Sequence, residues 1–255
     1  MRSTPFVRIK LVGPGAKVKA PPTPAVIVWR GPSIFTGNPV QVLLSCLNPS
    51  SPSRNWKTGP MIQATILPVG VNPTRGFGTL AERDTCGACR LTGAGAARVC
   101  YAAMHAWLTG RSAEGAPVVD LAEAVRLLGN RPLRIGAYGD PAAVPTEVWR
   151  GLVEGASHWT GFTHAWRTCD QALAQWVMAS VDGPAEQREA AALGWRTFRI
   201  RHPGGELALG EVPCANESSG VQCIKCALCK GNASGAANVV ITVHGLGSRR
   251  FVETA

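Results

Sequence analysis

A chain of 255 residues with 45% hydrophobic residues, a net charge of +10 and nine cysteines is long enough to bury a full core. No run of 18 apolar residues occurs, which argues against a membrane partner, and no low-complexity tract marks a fibrous or disordered protein. The charge is uneven. Residues 1–80 hold nine Lys/Arg and no Asp or Glu, against seventeen basic and sixteen acidic residues in the remainder. A basic N-terminal third of this kind suits a nucleotide or nucleic-acid partner.

Met1–Lys10 carries no apolar h-region of a signal peptide, so a cytoplasmic protein is expected. In a reducing compartment, nine cysteines point to metal rather than disulfides.

In chain order, residues 1–24 are rich in Pro, Gly and Lys and read as an arm. Ala25–Trp29 and Val40–Leu44 are β-branched runs separated by turn residues, a predicted hairpin. Asn48–Gly59 is a polar, Pro-rich loop. Its Lys57-Thr58 lacks the glycines of a phosphate-binding P-loop, whereas Arg54, Trp56 and Lys57 form a set able to grip a phosphate and stack on a base. Met61–Leu67 is the next predicted strand.

Cys86-Gly-Ala-Cys89 follows in a Gly-rich turn, with Cys100 beyond it. Strands are then predicted at Val99–Met104, Leu133–Tyr138, Trp159–Thr163, Val177–Val181, Trp195–Ile200 and Val239–Val243. Helices are predicted at Val118–Leu128, Pro145–Glu154, Asp170–Trp176 and Pro184–Leu193. Alternation at this spacing predicts an α/β protein with a parallel sheet, a partial or complete β/α barrel over residues 81–255, preceded by a basic β-rich segment over 1–80. Asp140, His164, Asp182, His202 and His244 each follow a predicted strand directly, at the edge where parallel sheets build active sites. Asp140, Asp182, His164 and His244 are therefore the catalytic candidates.

The strongest signal is Cys223-Ile-Lys-Cys226-Ala-Leu-Cys229, with Cys214 upstream. Packing gives thiols no reason to recur at a strict three-residue interval. Tight turns of this kind aim several thiolates at one centre, as iron–sulfur clusters require. One arrangement makes Cys214, Cys223, Cys226 and Cys229 a four-thiolate metal-binding loop and Cys86, Cys89 and Cys100 a three-thiolate set, and a single cluster drawing ligands from both groups fits the sequence equally. A [4Fe–4S] cluster on three cysteines would leave one iron open to substrate or S-adenosylmethionine. Zinc is the alternative, with His244 completing a Cys₃His site beside Cys223, Cys226 and Cys229.

Three cysteines near the first strand of a barrel resemble the radical S-adenosylmethionine enzymes, although their CxxxCxxC spacing is replaced here by CxxC and a distant third cysteine. The zinc version resembles the tRNA-guanine transglycosylase barrels, in which strand-end aspartates act as nucleophile and base. That likeness implies such roles for Asp140 or Asp182. A third group of segments resembles an uncharacterised family of tailed-bacteriophage and prophage proteins. These are Asn55-Trp-Lys-Thr-Gly59, Met61-Ile-Gln63, Cys86-Gly-Ala-Cys89, Arg134-Ile-Gly-Ala-Tyr-Gly-Asp-Pro141, Met178-Ala-Ser-Val-Asp182, Gly194-Trp-Arg-Thr-Phe198, the Cys223–Cys229 loop and His244-Gly245. The resemblance implies a phage protein working in the host cytoplasm and brings no activity with it. Three functions stay open: an iron–sulfur enzyme of radical type acting on a nucleotide or nucleic acid, a zinc-dependent nucleobase-modifying barrel, and a non-enzymatic nucleic-acid-binding protein with a structural metal.

Overall fold

The computed structural model describes residues 25–70, 80–92, 99–100, 102, 113, 115–245 and 247–254. The expected arm at 1–24 and most of the expected strand at 99–104 lie outside them. Val99 and Cys100, which are described, are not in a strand, and both donate their N–H to the carbonyl of Leu91.

The predicted hairpin forms. β1 (Ala25–Pro32) pairs antiparallel with β2 (Pro39–Ser45), and β2 pairs antiparallel with β3 (Ile62–Pro68). From β3 onward every pairing is parallel. β4 (Leu133–Arg134) lies beside β3, and β5 (Trp159–Thr160) beside β4. The second sheet holds β6 (Phe162–Thr163), β7 (Met178–Val181), β8 (Thr197–Arg201), β10 (Asn238–Thr242) and β9 (Glu211–Pro213), in that spatial order.

Only Gly161 separates β5 from β6, so the segment predicted as one strand serves both sheets. Ile135 donates to Thr160 on one side, and Met178 donates to Gly161 on the other. Gly161 admits this passage because a Cβ there would stand 2.6 Å from Val177 Cγ1 and 3.0 Å from Ile135 Cβ. Within each sheet the parallel strands β3–β5 and β6–β8 each neighbour their predecessor, and the two sheets are joined in the chain through Gly161. Among the described residues no pairing joins β1 to β9, so the sheet is open. The outer edge of β1 is covered instead by Pro117–Val119, through bonds from Ile27 to Pro117 and from Val119 to Ile27.

One face of the sheets packs against three helices. α2 (Leu121–Leu128) is capped by Asp120, whose side chain accepts from Glu123 N–H, and it ends at Gly129 in the left-handed region. α3 is Thr146–Glu154 and α4 is Pro184–Ala192. Leu128, Trp149, Leu152 and Ala190 from these helices meet Val42, Ile62, Leu133, Ala179 and Val181 from the strands in one core. That core draws on residues either side of position 80, and β3 shares a sheet with β4. The division at 80 is one of charge, and packing crosses it.

Alternation sends the other side chains to the opposite face. Leu43, Leu67 and Tyr138 meet Cys86 there, and Leu91, Val99 and Phe251 meet Cys89 and Cys100. Met178 and Val239 meet Cys229, Cys214, Phe162 and Phe198. Cys86, Cys89, Cys100, Cys214 and Cys229 therefore share the face that the three helices leave open.

Candidate metal centres on the cysteine face

The C-terminal loop is seated at several points. The Cys214 N–H bonds Val240 O at 2.8 Å, and α5 (Ala215–Ser219) follows at once. α6 (Cys223–Cys226) starts against the polar loop at 48–59, with Cys223 donating to Lys57 O at 2.9 Å and Ile224 to Thr58 O at 3.1 Å. Ala227 turns the chain through a left-handed φ of 53°, which costs a residue with a Cβ and sets Cys229 back under the sheet. Gly161 then donates to Cys229 O at 3.1 Å. Arg196 fastens the far end, donating to Leu228 O at 2.9 Å and Gly231 O at 2.8 Å, and to Ala237 O.

These restraints gather four thiols. Burial pushes the Cys229 thiol well up, and Cys223, Cys214 and Cys226 push it the same way, while Arg196 opposes them. Cys223 is raised by burial, with Arg134 opposing and Cys214 and Cys226 adding to the rise. Four thiolates so placed repel one another, and a bound cation would remove that repulsion. The donor set fits a thiolate metal centre. Among the described residues, no three His, Cys, Asp or Glu are drawn together as ligands of a single ion. No disulfide links any of the nine cysteines.

His244, the expected fourth ligand of a zinc site, has these neighbours. Nδ1 of His244 is 2.9 Å from Thr242 O, and Nε2 lies against Lys57 Nζ. The fourth thiol acting on Cys229 is that of Cys214, which β9 carries in beside β10.

The second group forms around Cys86, Cys89 and Cys100. α1 (Arg83–Cys86) ends at Gly87, and Cys89 N–H returns to Cys86 O at 3.1 Å. Burial holds the Cys86 thiol well above its usual range, Thr85 opposes, and Cys89, Cys100 and Glu82 add to the rise. Tyr138 is raised by burial and next by Cys86. His164 reaches this group from the end of β6. Burial disfavours its charged ring, but Cys89 and Asp182 outweigh burial and hold it well above the usual histidine range. Arg90 Nε lies 3.2 Å from Asp182 Oδ2.

Strand-end position alone does not distinguish the catalytic candidates. Asp140 is buried, and its oxygens accept from Thr163 Oγ1 at 2.6 Å, Ala142 N–H at 3.0 Å and His164 N–H at 2.8 Å. Three donors of the chain thus converge on this carboxylate. Asp182 and His164 meet at the first thiol group, whereas His244 lies with Lys57.

Of the phosphate-gripping set, Arg54 is exposed and Trp56 is 67% exposed. Lys57 turns inward over the Trp56 ring, and burial lowers its ammonium pKa while Cys214, Glu217 and Cys223 oppose that. Cys46 and Cys169 belong to neither group. Cys169 is pushed up to about 12, first by burial and then by Asp140.

Sequence reasoning missed Arg90, Arg134, Arg196 and the buried Arg199. Arg134 and Arg196 flank parallel strands whose side alternation was legible, but nothing in sequence ties either to a particular thiol. No family model, no curated protein and no solved structure matches this chain.

Proposed function

We propose that this chain is an iron–sulfur protein, encoded by a tailed phage or prophage, that acts on a nucleotide or nucleic acid. The observation that supports the reading is that Cys214, Cys223 and Cys226 stand near enough to the buried Cys229 to raise its thiol pKa, in a loop restrained by Lys57, Gly161 and Arg196. Cys86, Cys89 and Cys100 form a second thiolate centre on the same face.

When bound, a cluster supplies electron transfer or a Lewis-acidic iron. The chain's own contribution is electrostatic. Lys57 and Arg134 bring positive charge to Cys223, which offsets thiolate charge and leaves a cationic rim for a polyanion. Trp56, exposed next to Lys57, supports stacking on a base.

Iron and acid-labile sulfide, counted in protein purified without oxygen, test the reading. Wild type should carry both, and Cys223→Ser should lose the share held by the C-terminal loop. Colourless protein with zinc alone would favour the nucleobase-modifying zinc barrel or the structural-metal binder, and base exchange on DNA or RNA would separate those two. Binding of a single-stranded oligonucleotide that weakens steeply with salt, and falls in Trp56→Ala, tests the partner.

A further inference from the structure

A cavity between the turn that follows β1 and the start of α3 lies apart from both thiol groups. Its volume is about 200 Å³. Ala142, Val144 and Leu173 form an apolar floor and belong to the core on the helix side. Ile34 stands at the mouth, 61% exposed, and its N–H bonds Ala143 O at 3.0 Å. An apolar space of roughly 150 Å³ is enough to take up benzene.

The polar lining is sparse and one-sided. Thr146 is only 8% exposed and lines the cavity, yet its hydroxyl makes no hydrogen bond among the described residues. A buried polar group in that state calls for a partner. Glu147 is exposed, and among the described residues its carboxylate has no hydrogen bond or ion pair. Asp170 accepts from Ala172 N–H at 3.0 Å through Oδ1, which starts the 3-10 turn Gln171–Gln175 and leaves Oδ2 over. The Cys169 thiol, pushed up to about 12 by burial and then by Asp140, stays neutral. Among the described residues no Lys, Arg or His lines the space, so its charge is that of two carboxylates.

We propose that this cavity binds a small primary amine, its apolar body between Ile34, Val144 and Leu173 and its ammonium group among Thr146, Glu147 and Asp170. An ammonium group has three donors and no acceptor. The lining offers three acceptors to match, the Thr146 hydroxyl oxygen, the Glu147 carboxylate and Asp170 Oδ2. The N-terminus of α3 favours negative charge, but Glu147 in its first turn already supplies that. An anionic ligand would meet both carboxylates, and a neutral one would leave them unpaired. The site needs no metal and is independent of the iron–sulfur reading.

Benzylammonium, benzyl alcohol and benzoate share one ring and differ in charge, so the three probes test the proposal. Each is titrated into the full chain and followed by methyl and amide NMR shifts. The expected result is a set of shifts centred on Ile34, Val144 and Leu173, with benzylammonium bound about tenfold more tightly than benzyl alcohol and benzoate weakest. Glu147→Gln and Asp170→Asn should each weaken benzylammonium by about 2–5-fold, as loss of an exposed ion pair does, and leave benzyl alcohol unchanged. Both positions are exposed and asparagine keeps the cap, so an unchanged thermal midpoint separates lost binding from lost folding. Thr146→Val should weaken the amine as well. Equal binding of benzylammonium and benzyl alcohol would overturn the assignment, because the carboxylates would then not read the ligand. Tighter binding of benzoate would overturn it in favour of the helix terminus. An absence of shifts at these residues with all three probes would show that the cavity takes no such ligand. Metal content enters none of these outcomes.

Discussion

Asp140 Oδ2 accepts the backbone N–H of His164 at 2.8 Å, so the loop after β4 fixes the chain just past β6. The carboxylate is buried, and burial raises its pKa, while Thr163, Ala142 and His164 oppose the rise. Asp140→Ala removes the acceptor for three donors at once. It is expected to cost about 2–3 kcal/mol, measured by urea denaturation, and to loosen metal at the first centre without removing a ligand.

Arg199 is the largest charge buried in the sheet. It reaches from β8 past β10 to Glu211 on β9, with Nε at 2.8 Å from Oε1 and a terminal nitrogen at 2.8 Å from Oε2. Arg199→Ala leaves a buried carboxylate uncompensated and should destabilise by about 3–5 kcal/mol. Glu253 also meets Arg199, at 2.7 Å, but its side chain is 26% exposed. Glu253→Ala is expected to cost less than about 1 kcal/mol in the same denaturation experiment.

Gly139, φ +82°, lies where a Cβ would stand 2.7 Å from Ile66 Cβ and 3.0 Å from Ile66 O. It carries the chain from β4 to Asp140. Gly139→Ala should destabilise by at least about 1 kcal/mol and shift the thermal midpoint downward, because both the left-handed backbone and the close approach resist a side chain.

His244 gives a pH dependence with a definite sign. Burial lowers its pKa, Thr242 opposes, and Lys57 lowers it further. A histidine whose folded pKa is depressed contributes stability above the ordinary histidine range, and that contribution is lost as pH falls through the folded value. Lys57→Met should raise the His244 titration point, read by NMR, and reduce the loss of stability on acidification. No change in that titration would separate Lys57 from His244 in solution.

Much of the fold was legible because the runs of apolar and β-branched residues at Ala25–Trp29, Met61–Leu67 and Val239–Val243 are explicit. Other elements were not. Glu211–Pro213 is too short to carry a period, and it becomes a strand only because β10 offers it a partner. The predicted helix at Asp170–Trp176 is a 3-10 turn over Gln171–Gln175, started by Asp170 accepting from Ala172 N–H. Closure of the sheet depends on long-range pairing that no local pattern encodes. At the site, cysteine spacing sorted the thiols into two sets, and in the structure Cys86, Cys89 and Cys100 act on one another, as do Cys214, Cys223, Cys226 and Cys229. The role of Asp140 was not legible, because a strand-end aspartate looks the same whether its lone pairs face a substrate or the chain. Arg199 was hidden in Thr-Phe-Arg-Ile, where alternation alone reads a charged side chain as exposed.

Loss of metal should also be visible in stability. The Cys223–Cys229 loop packs on Met178 and Val239, so stripping metal with a chelator should lower the thermal midpoint of wild type and leave that of Cys223→Ser nearly unchanged.

The most direct measurement is iron, sulfide and zinc content, with a visible spectrum, of the full chain purified without oxygen. Iron and sulfide together, with a charge-transfer band that dithionite bleaches and that Cys223→Ser diminishes, is the result expected of an iron–sulfur protein. A colourless protein with neither iron nor sulfide would contradict it.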